Sequence, residues 1–528
     1  MPATQTDRTD RPVVDHSFDG IDDLEGLMEE YLLAQDYSQR AKTKIIATVG
    51  PACDSIEQLT ELVHAGVDVF RINMAHGQPE QQQTLVDRVR QVSQEVNQPL
   101  AILVDLAGPK FRLGDIKGDS TFCARDEEFF FVTDKPKTKY ELTASYQPMV
   151  RELSVGDHIM LSDGTVSMLV KECLPDRVRM RVVQQGTIRS RQGINLPGVN
   201  LSVPAISVED HQHAIWAAQA GVDFVSLSFV RSPDEIRTLK DIVRSSGSTA
   251  RVIAKIEKRE ALERLEDIIR ESDGVMVARG DLGVEIDVAQ MPLAQKRIIR
   301  TCHQFHKPVI IATQMLDSMH DSMRPTRAEV TDVANAVLDG ADACMLSGET
   351  AIGKHPHAAV DMMNRIALAT EVSLREHPLK DNDPDRNDGL QEITRAVVRG
   401  AGTMAQVVGA KLVVVASHSG RTALALSQQR SFAPTIGVST CEKTLQQMCL
   451  YWGVTPLRGA PACSVEQLIQ FTDHWACRVG LASRGDRIVI VGGSHLTAGP
   501  GCDLMASGVH DIVIVHEVEG IKETRGAS

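Results

Sequence analysis

Three side chains in this 528-residue chain set the chemical question. Lys255 and Glu257 lie two positions apart in Ala254-Lys255-Ile256-Glu257, and Asp281 sits in Ala278-Arg279-Gly280-Asp281-Leu282-Gly283. If the first segment is extended, residues two apart point the same way, so an ammonium and a carboxylate share one face. A simple ion pair between them is one reading. The stretch Ser272 to Glu285 reads as a strand entering a glycine-flanked turn, from which Asp281 can face Glu257 across adjacent strand ends. Two carboxylates beside a Lys and an Arg suit Mg²⁺, with Mn²⁺ as a substitute, because such a cation takes hard oxygen ligands and shares its shell with water and substrate phosphate. A structural salt-bridge network is the other reading.

The elements that must position these groups are short apolar runs. Eight occur, at Lys44–Thr48, Val67–Ile72, Leu100–Val104, Phe224–Leu227, Arg251–Lys255, Gly274–Ala278, Pro308–Ala312 and Ala341–Leu346, and each leads into polar residues. Strand-like runs separated by helix-length amphipathic stretches predict a (β/α)8 TIM barrel, in which chemistry sits at the C-terminal strand ends. The residues at or just past those ends are Asn73, His76, Asp105, Arg112, Ser228, Lys255, Glu257, Arg279, Asp281, Thr313, Ser347 and Glu349. Cations, carboxylates and hydroxyls are thus expected on one rim.

The chain is too long for one core, so several domains are expected. Residues 1–40 read as a polar N-terminal extension ending in a helix, with Leu24, Leu27, Met28, Tyr31 and Leu32 at helical spacing. The barrel takes residues 41–112 and 201–372. Between its third and fourth strands, residues 113–200 alternate apolar and polar positions around Gly and Asp turns, which predicts an inserted small β-barrel acting as a lid that excludes water. An acidic stretch at Asp381–Asp388 reads as a linker, and residues 388–528 as a C-terminal open α/β regulatory domain.

A net charge of −14 argues against nucleic acid as the main partner, which needs a concentrated basic surface. The charged fraction of 24% and apolar fraction of 42% are those of a soluble globular protein. Ten cysteines without a Cys-x-x-Cys pair, and no apolar N-terminal segment, point to a reducing cytoplasm and away from a membrane. The cysteines read as small buried apolar residues, Cys344 within a barrel strand above all.

Seven strings occur in the order and spacing of one family: Thr43 to Ala52, Arg71-Ile72-Asn73-Met74-Ala75-His76-Gly77, Lys255 to Glu257, Met276 to Gly283, Ala312 to Leu316, Arg324 to Glu329 and Met345 to Thr350. From about Lys42 to Gly520 the chain resembles pyruvate kinase. The resemblance implies transfer of a phosphoryl group from phosphoenolpyruvate to ADP, giving pyruvate and ATP at the end of glycolysis, by a homotetramer. It implies that Glu257 and Asp281 hold Mg²⁺, that Lys255 lies over the transferring phosphoryl, and that Arg71 clamps the substrate phosphate. Donors around Gly280 and Asp281 would take the substrate carboxylate, with Thr313 beside them near the proton path; a helix cap is the other reading of Thr313. Asn73, His76 and Arg112 resemble nucleotide-side contacts.

Departures from the family pattern carry their own expectations. Of the residues through which many relatives bind K⁺, Asn73 and Asp105 are present, but Ala75 and Leu106 replace a Ser and a Thr, and Lys110 stands where a Glu is usual. This resembles the K⁺-independent branch, with the Lys110 ammonium replacing the ion. In the insertion, Arg191-Gln192-Gly193-Ile194-Asn195-Leu196-Pro197 stands where relatives often have two lysines, so one charge is lost on the nucleotide side. Ser417, Ser419, Gly420, Arg421 and Thr422 resemble the loop that holds a phosphorylated effector, a sugar or a nucleotide; a plain helix cap is the alternative. Two rival functions remain at this level. One is a Mg²⁺-dependent lyase or aldolase that stabilises pyruvate enolate on the same barrel. The other is a catalytically silent sugar-phosphate sensor.

Overall fold

The computed structural model describes residues 40–162, 164–199, 202–376, 392–462, 464–493 and 511–520. The expected helix before Arg40, the acidic stretch at Asp381–Asp388 and most of the loop from Gly492 to Gly501 lie outside the described residues.

Three strands open the fold: β1 (Lys44–Thr48), β2 (Val69–Asn73) and β3 (Ala101–Asp105). After a nine-stranded insertion come β13 (Phe224–Leu227), β14 (Arg251–Ile256), β15 (Gly274–Ala278), β16 (Val309–Ala312) and β17 (Ala343–Leu346). These eight pair in parallel, and β1 against β17 closes the barrel. Each is apolar along most of its length because a parallel strand under helices is buried on both faces. The helices begin where the chain supplies caps. Ser55 with Gln58, Ser207 with Asp210 and Thr326 with Glu329 form capping boxes, and Gly340 in the left-handed region ends the helix Arg327–Asp339.

Strand alternation then sorts side chains between the two faces. Ile46, Val69, Leu103, Phe224, Ile253 and Met276 belong to one buried cluster, while their strand neighbours pack outward against the helices. Arg71, Asp105, Ser226 and Lys255 share the inward parity of that cluster and sit one step nearer the C-terminal strand ends. The barrel interior is therefore apolar below and charged at the rim.

The insertion holds β4 (Phe111–Arg112), β5 (Ser120–Cys123), β6 (Glu128–Val132), β7 (Glu141–Leu142), β8 (His158–Leu161), β9 (Val166–Cys173), β10 (Arg177–Gln184), β11 (Gly186–Arg189) and β12 (Gly193–Asn195). Seven of them form a curled sheet in the order β4-β12-β8-β9-β10-β6-β7, and β11 with β5 makes a two-stranded ribbon. An isolated antiparallel bridge from Leu113 to Ala144 draws the two ends of the curled sheet together. The bonds Gly114 N–H to Thr143 O and Ser145 N–H to Arg112 O, both 2.8 Å, flank it. Twenty buried apolar residues form its own core, separate from that of the barrel.

The C-terminal sheet runs β20 (Val454–Pro456), β19 (Thr435–Val438), β18 (Leu412–Ala416), β21 (Arg487–Gly493), β22 (Asp511–Glu517), with only β22 antiparallel. Leu445, Met448, Leu450 and Tyr451 from this region join the same apolar cluster as the barrel interior. Among the described residues no helix is long and apolar enough to cross a membrane.

Candidate active site

At the rim, Asp105 is the centre of a buried charge cluster. Its Oδ2 accepts two bonds from Arg71, from Nε at 2.9 Å and Nη2 at 2.6 Å, while Ser226 Oγ donates to Oδ1 at 2.6 Å. Lys255 Nζ lies 3.3 Å from the same carboxylate, donates to Ser228 Oγ at 2.7 Å and stands 2.9 Å from Glu257 Oε1. Arg71 also reaches Thr48 Oγ1 at 3.0 Å. Strand register produces this meeting: Arg71 aligns with Leu103, Asn73 with Asp105, and Ser226 with both Asp105 and Ile253.

The electrostatics follow from burial and pairing. Burial alone would raise the Asp105 carboxyl, but Lys255, Arg71 and the Ser226 hydroxyl outweigh it and hold the group at about 2. Burial opposes the charge on Lys255 as well, yet the carboxylates of Asp105 and Glu257 raise its proton affinity above the ordinary value, so it stays a cation. Glu257 is pushed up by burial, with Lys255 opposing and the nearby Asp281 adding repulsion. The backbone N–H of Phe229 donates to its Oε2 at 2.7 Å.

The glycine turn after β15 opens the short helix Arg279–Glu285, as expected. Gly280 N–H donates to Thr313 Oγ1 at 2.7 Å, and Thr313 in turn donates to Ala312 O. Thr313 thus satisfies the start of the neighbouring helix rather than capping one of its own. It and Gln314 have φ of 68° and 55°, a left-handed conformation that is costly for a β-branched residue. Arg279 holds that turn. Its guanidinium donates to Thr313 O at 2.9 Å and contacts Met315 Sδ at 2.8 Å, and is itself fixed by Asp332 at 2.7 Å.

The structure brings Arg71, Lys255, Glu257, Gly280, Asp281 and Thr313 to one rim. The nucleotide-side candidates are not bonded to that cluster. Asn73 Oδ1 accepts its own Ala75 N–H at 3.1 Å, His76 is exposed, and Arg112, at the root of the insertion, donates to Arg191 O at 3.2 Å. Lys110 is exposed too. Its Cε lies 3.5 Å from where a Cβ on Gly193 would stand, against β12, and it makes no hydrogen bond or ion pair with Asn73 or Asp105. Gln192, at the altered lid position, accepts from Ser162 Oγ at 2.6 Å and Arg189 N–H at 2.7 Å, within the insertion. In the C-terminal region Gly420, with φ of 76°, precedes the helix Arg421–Ser427; Ser417 and Thr422 are buried, and Arg421 Nε points at Ser419 Oγ, 3.4 Å away.

Ser226, Thr48 and the anchoring role of Arg279 were not anticipated. Ser226 and Thr48 left a usable signal, since each is a polar residue at an inward position of an otherwise apolar run. Arg279 left none, because its partners lie more than thirty residues on.

The two carboxylates can be tested as a cation site. Asp281 makes no hydrogen bond or ion pair among the described residues, and its charge falls on Glu257. An unpaired carboxylate facing a second one fits a divalent cation that takes its remaining ligands from water and substrate.

Comparison with known proteins covers most of the chain. A family model described as the barrel domain of pyruvate kinase matches residues 40–360, and one described as the alpha/beta domain of pyruvate kinase matches residues 395–506. A pyruvate kinase of Thermotoga maritima is 37% identical over 456 residues, 85% of this chain and 96% of that protein. One of Mycobacterium intracellulare is 38% identical over 452 residues, 85% of this chain and 94% of its own length. The crystal structure of a pyruvate kinase from Cryptosporidium parvum superposes with a TM-score of 0.83 at 30% identity, covering 92% of this chain and 98% of that one.

Proposed function

The chain belongs to the pyruvate kinase family and is a phosphotransferase, and from that premise we propose that it moves the phosphoryl group of phosphoenolpyruvate to ADP, giving pyruvate and ATP. The observation that carries this reading is the buried Lys255 ammonium, held between Asp105 and Glu257, with the Asp281 charge acting on the same Glu257. Phosphoryl transfer asks mainly for positioning and for neutralisation of charge at the moving group. A fixed cation already desolvated at the rim does this without reorganising.

Arg71 has five N–H groups, and the bonds to Asp105 and Thr48 occupy three of its nitrogens once each, which leaves donors for a substrate phosphate. Asp105 keeps Arg71 and Lys255 apart in charge and together in place. The Gly280 N–H, now on Thr313, exchanges that hydroxyl for the substrate carboxylate, and the freed Thr313 Oγ is then placed to relay a proton toward the enolate carbon. Glu257 and Asp281 are the residues that would hold Mg²⁺, which when bound supplies countercharge to the phosphoryl and enolate oxygens. Asn73, His76 and Arg112 bind the nucleotide side once the insertion, residues 113–200, closes over the barrel, residues 41–112 and 201–372. Lys110 supplies the charge for which relatives use K⁺. The loop Ser417–Thr422 takes a phosphorylated effector, and the working form is a cytoplasmic homotetramer.

The test is a lactate dehydrogenase-coupled assay with phosphoenolpyruvate, ADP and Mg²⁺ in K⁺-free buffer, repeated with KCl. Brisk turnover without K⁺ supports both the reaction and the Lys110 assignment. Turnover only with KCl keeps the reaction and removes that assignment, and none in either buffer defeats the reading.

A further inference from the structure

At the opposite end of the barrel from the catalytic rim, a cavity of about 340 Å³ opens between the residues that precede β1, the end of the helix Pro356–Glu376 and the C-terminal domain. Arg40, Lys42, Lys44 and Arg375 line it, against one lining carboxylate, Glu371. That carboxylate is already engaged by neutral donors. It accepts Lys42 N–H at 2.9 Å, Thr43 N–H at 2.7 Å and Thr43 Oγ1 at 2.8 Å. Lys44 is neutralised by Asp68 at 3.2 Å. Among the described residues Arg40 donates to neutral acceptors, Val63 O and Gln98 Oε1, and Arg375 makes no hydrogen bond or ion pair. Among the described residues, four cations against Glu371 and Asp68 leave an excess of two positive charges.

Lys42 lies among these charges. Its ammonium donates to Ala433 O at 3.1 Å and lies 5.6 Å from the centre of the Trp452 ring. Burial above all, against the pull of Glu371 and with smaller pushes from Lys44 and Arg375, brings it down to about 8. Apart from Thr435 and Thr455 the remaining walls are apolar, with Leu368 and Val372 from the barrel helix and Phe432 and Leu481 from the C-terminal domain. A cavity of this size falls within the usual range for small-molecule sites, which pair an apolar lining with a few placed charges.

We propose that this inter-domain cavity is a binding site for a small phosphomonoester with an apolar body, its phosphate held by Lys42 and Arg375 and its body lying between Val372 and Phe432. A phosphomonoester carries close to two negative charges near neutrality, which matches the excess. A carboxylate would leave one cation unmet. Because the walls come from both domains, an occupant ties the N-terminal end of the barrel to the C-terminal sheet. The site is independent of the reading of the rim, since none of its residues serves there.

The test is calorimetric titration of the full chain with phenyl phosphate, in saturating phosphoenolpyruvate without ADP so that the catalytic site is filled. Saturable binding is expected, with tryptophan emission changing in step and the change lost in Trp452→Phe. Lys42→Met and Arg375→Gln should each weaken binding by at least ~10-fold, the scale of one charge-assisted hydrogen bond, and inorganic phosphate should bind more weakly than phenyl phosphate. Arg375 is exposed, so its variant folds even if Lys42→Met does not, and it should keep its turnover. No saturable binding overturns the proposal. So does undiminished binding in Arg375→Gln, or binding that leaves Trp452 emission unchanged, because the ligand then sits elsewhere.

Discussion

Arg71 grips a single oxygen of Asp105 through two nitrogens, at 2.9 and 2.6 Å, across neighbouring barrel strands. The pair is nearly closed to solvent, with side chains 11% and 2% exposed. Its partner Lys255 draws on the same carboxylate, so one negative charge organises both rim cations. Replacing Asp105 by Asn leaves two buried cations facing each other without their counter-ion. The barrel should lose about 3–5 kcal/mol, the scale for breaking a buried ion pair, read as a lower urea midpoint at pH 7.

The same carboxylate sets an acid limit. Its folded pKa of about 2 is below the ordinary aspartate value, so the unfolded chain binds the proton more readily. Its stabilising contribution is therefore complete above pH ~4 and is lost as pH falls from there through about 2. The stability gap between wild type and Asp105→Asn should accordingly narrow across that window. A gap that stays constant from pH 5 to pH 2 would show that Asp105 is not ionised in the folded state.

Lys255→Met removes the buried ammonium while keeping its length. Turnover of the folded variant should fall at least ~10²-fold, the effect of losing one preorganised charge. Near-normal kcat would remove Lys255 from its assigned role.

Thr313 and Arg279 test positioning as against chemistry. Thr313→Ala deletes the hydroxyl and should lower kcat by about 10²-fold, with Thr313→Ser restoring most of it. Arg279 touches the turn through the Thr313 carbonyl and Met315 rather than through the rim cations. Arg279→Lys keeps a charge but cannot fork to three partners, so it should stay impaired in kcat with little change in the Mg²⁺ requirement. Full activity in Arg279→Lys would mean that the left-handed turn holds without the fork.

Potassium gives the remaining prediction. At constant ionic strength, KCl should stimulate wild-type turnover less than about 2-fold, whereas Lys110→Met should lower the K⁺-free rate about 10-fold, as expected for a lost fixed charge. Strong stimulation of the wild type would return the role to the ion.

What the sequence determined alone is what depends on local pattern. The eight barrel strands lie within a residue or two of the apolar runs that predicted them, because a strand buried on both faces must be apolar nearly throughout. The insertion was legible from its apolar–polar alternation, since its strands bury one face, and the C-terminal sheet from its apolar strands; the resemblance placed the rim residues in order along the chain. Short strands such as β4 and β7, two residues each, left no period to read. Only the tertiary structure decided who meets whom. Asp105 joins Arg71 across 34 residues and Lys255 across 150, through strand register and barrel closure rather than spacing. The same holds for Arg279 behind Thr313 and for the cationic cavity beneath the barrel, whose walls come from segments more than three hundred residues apart. Periodicity reports which face a side chain takes, while its partners depend on how distant segments are packed together.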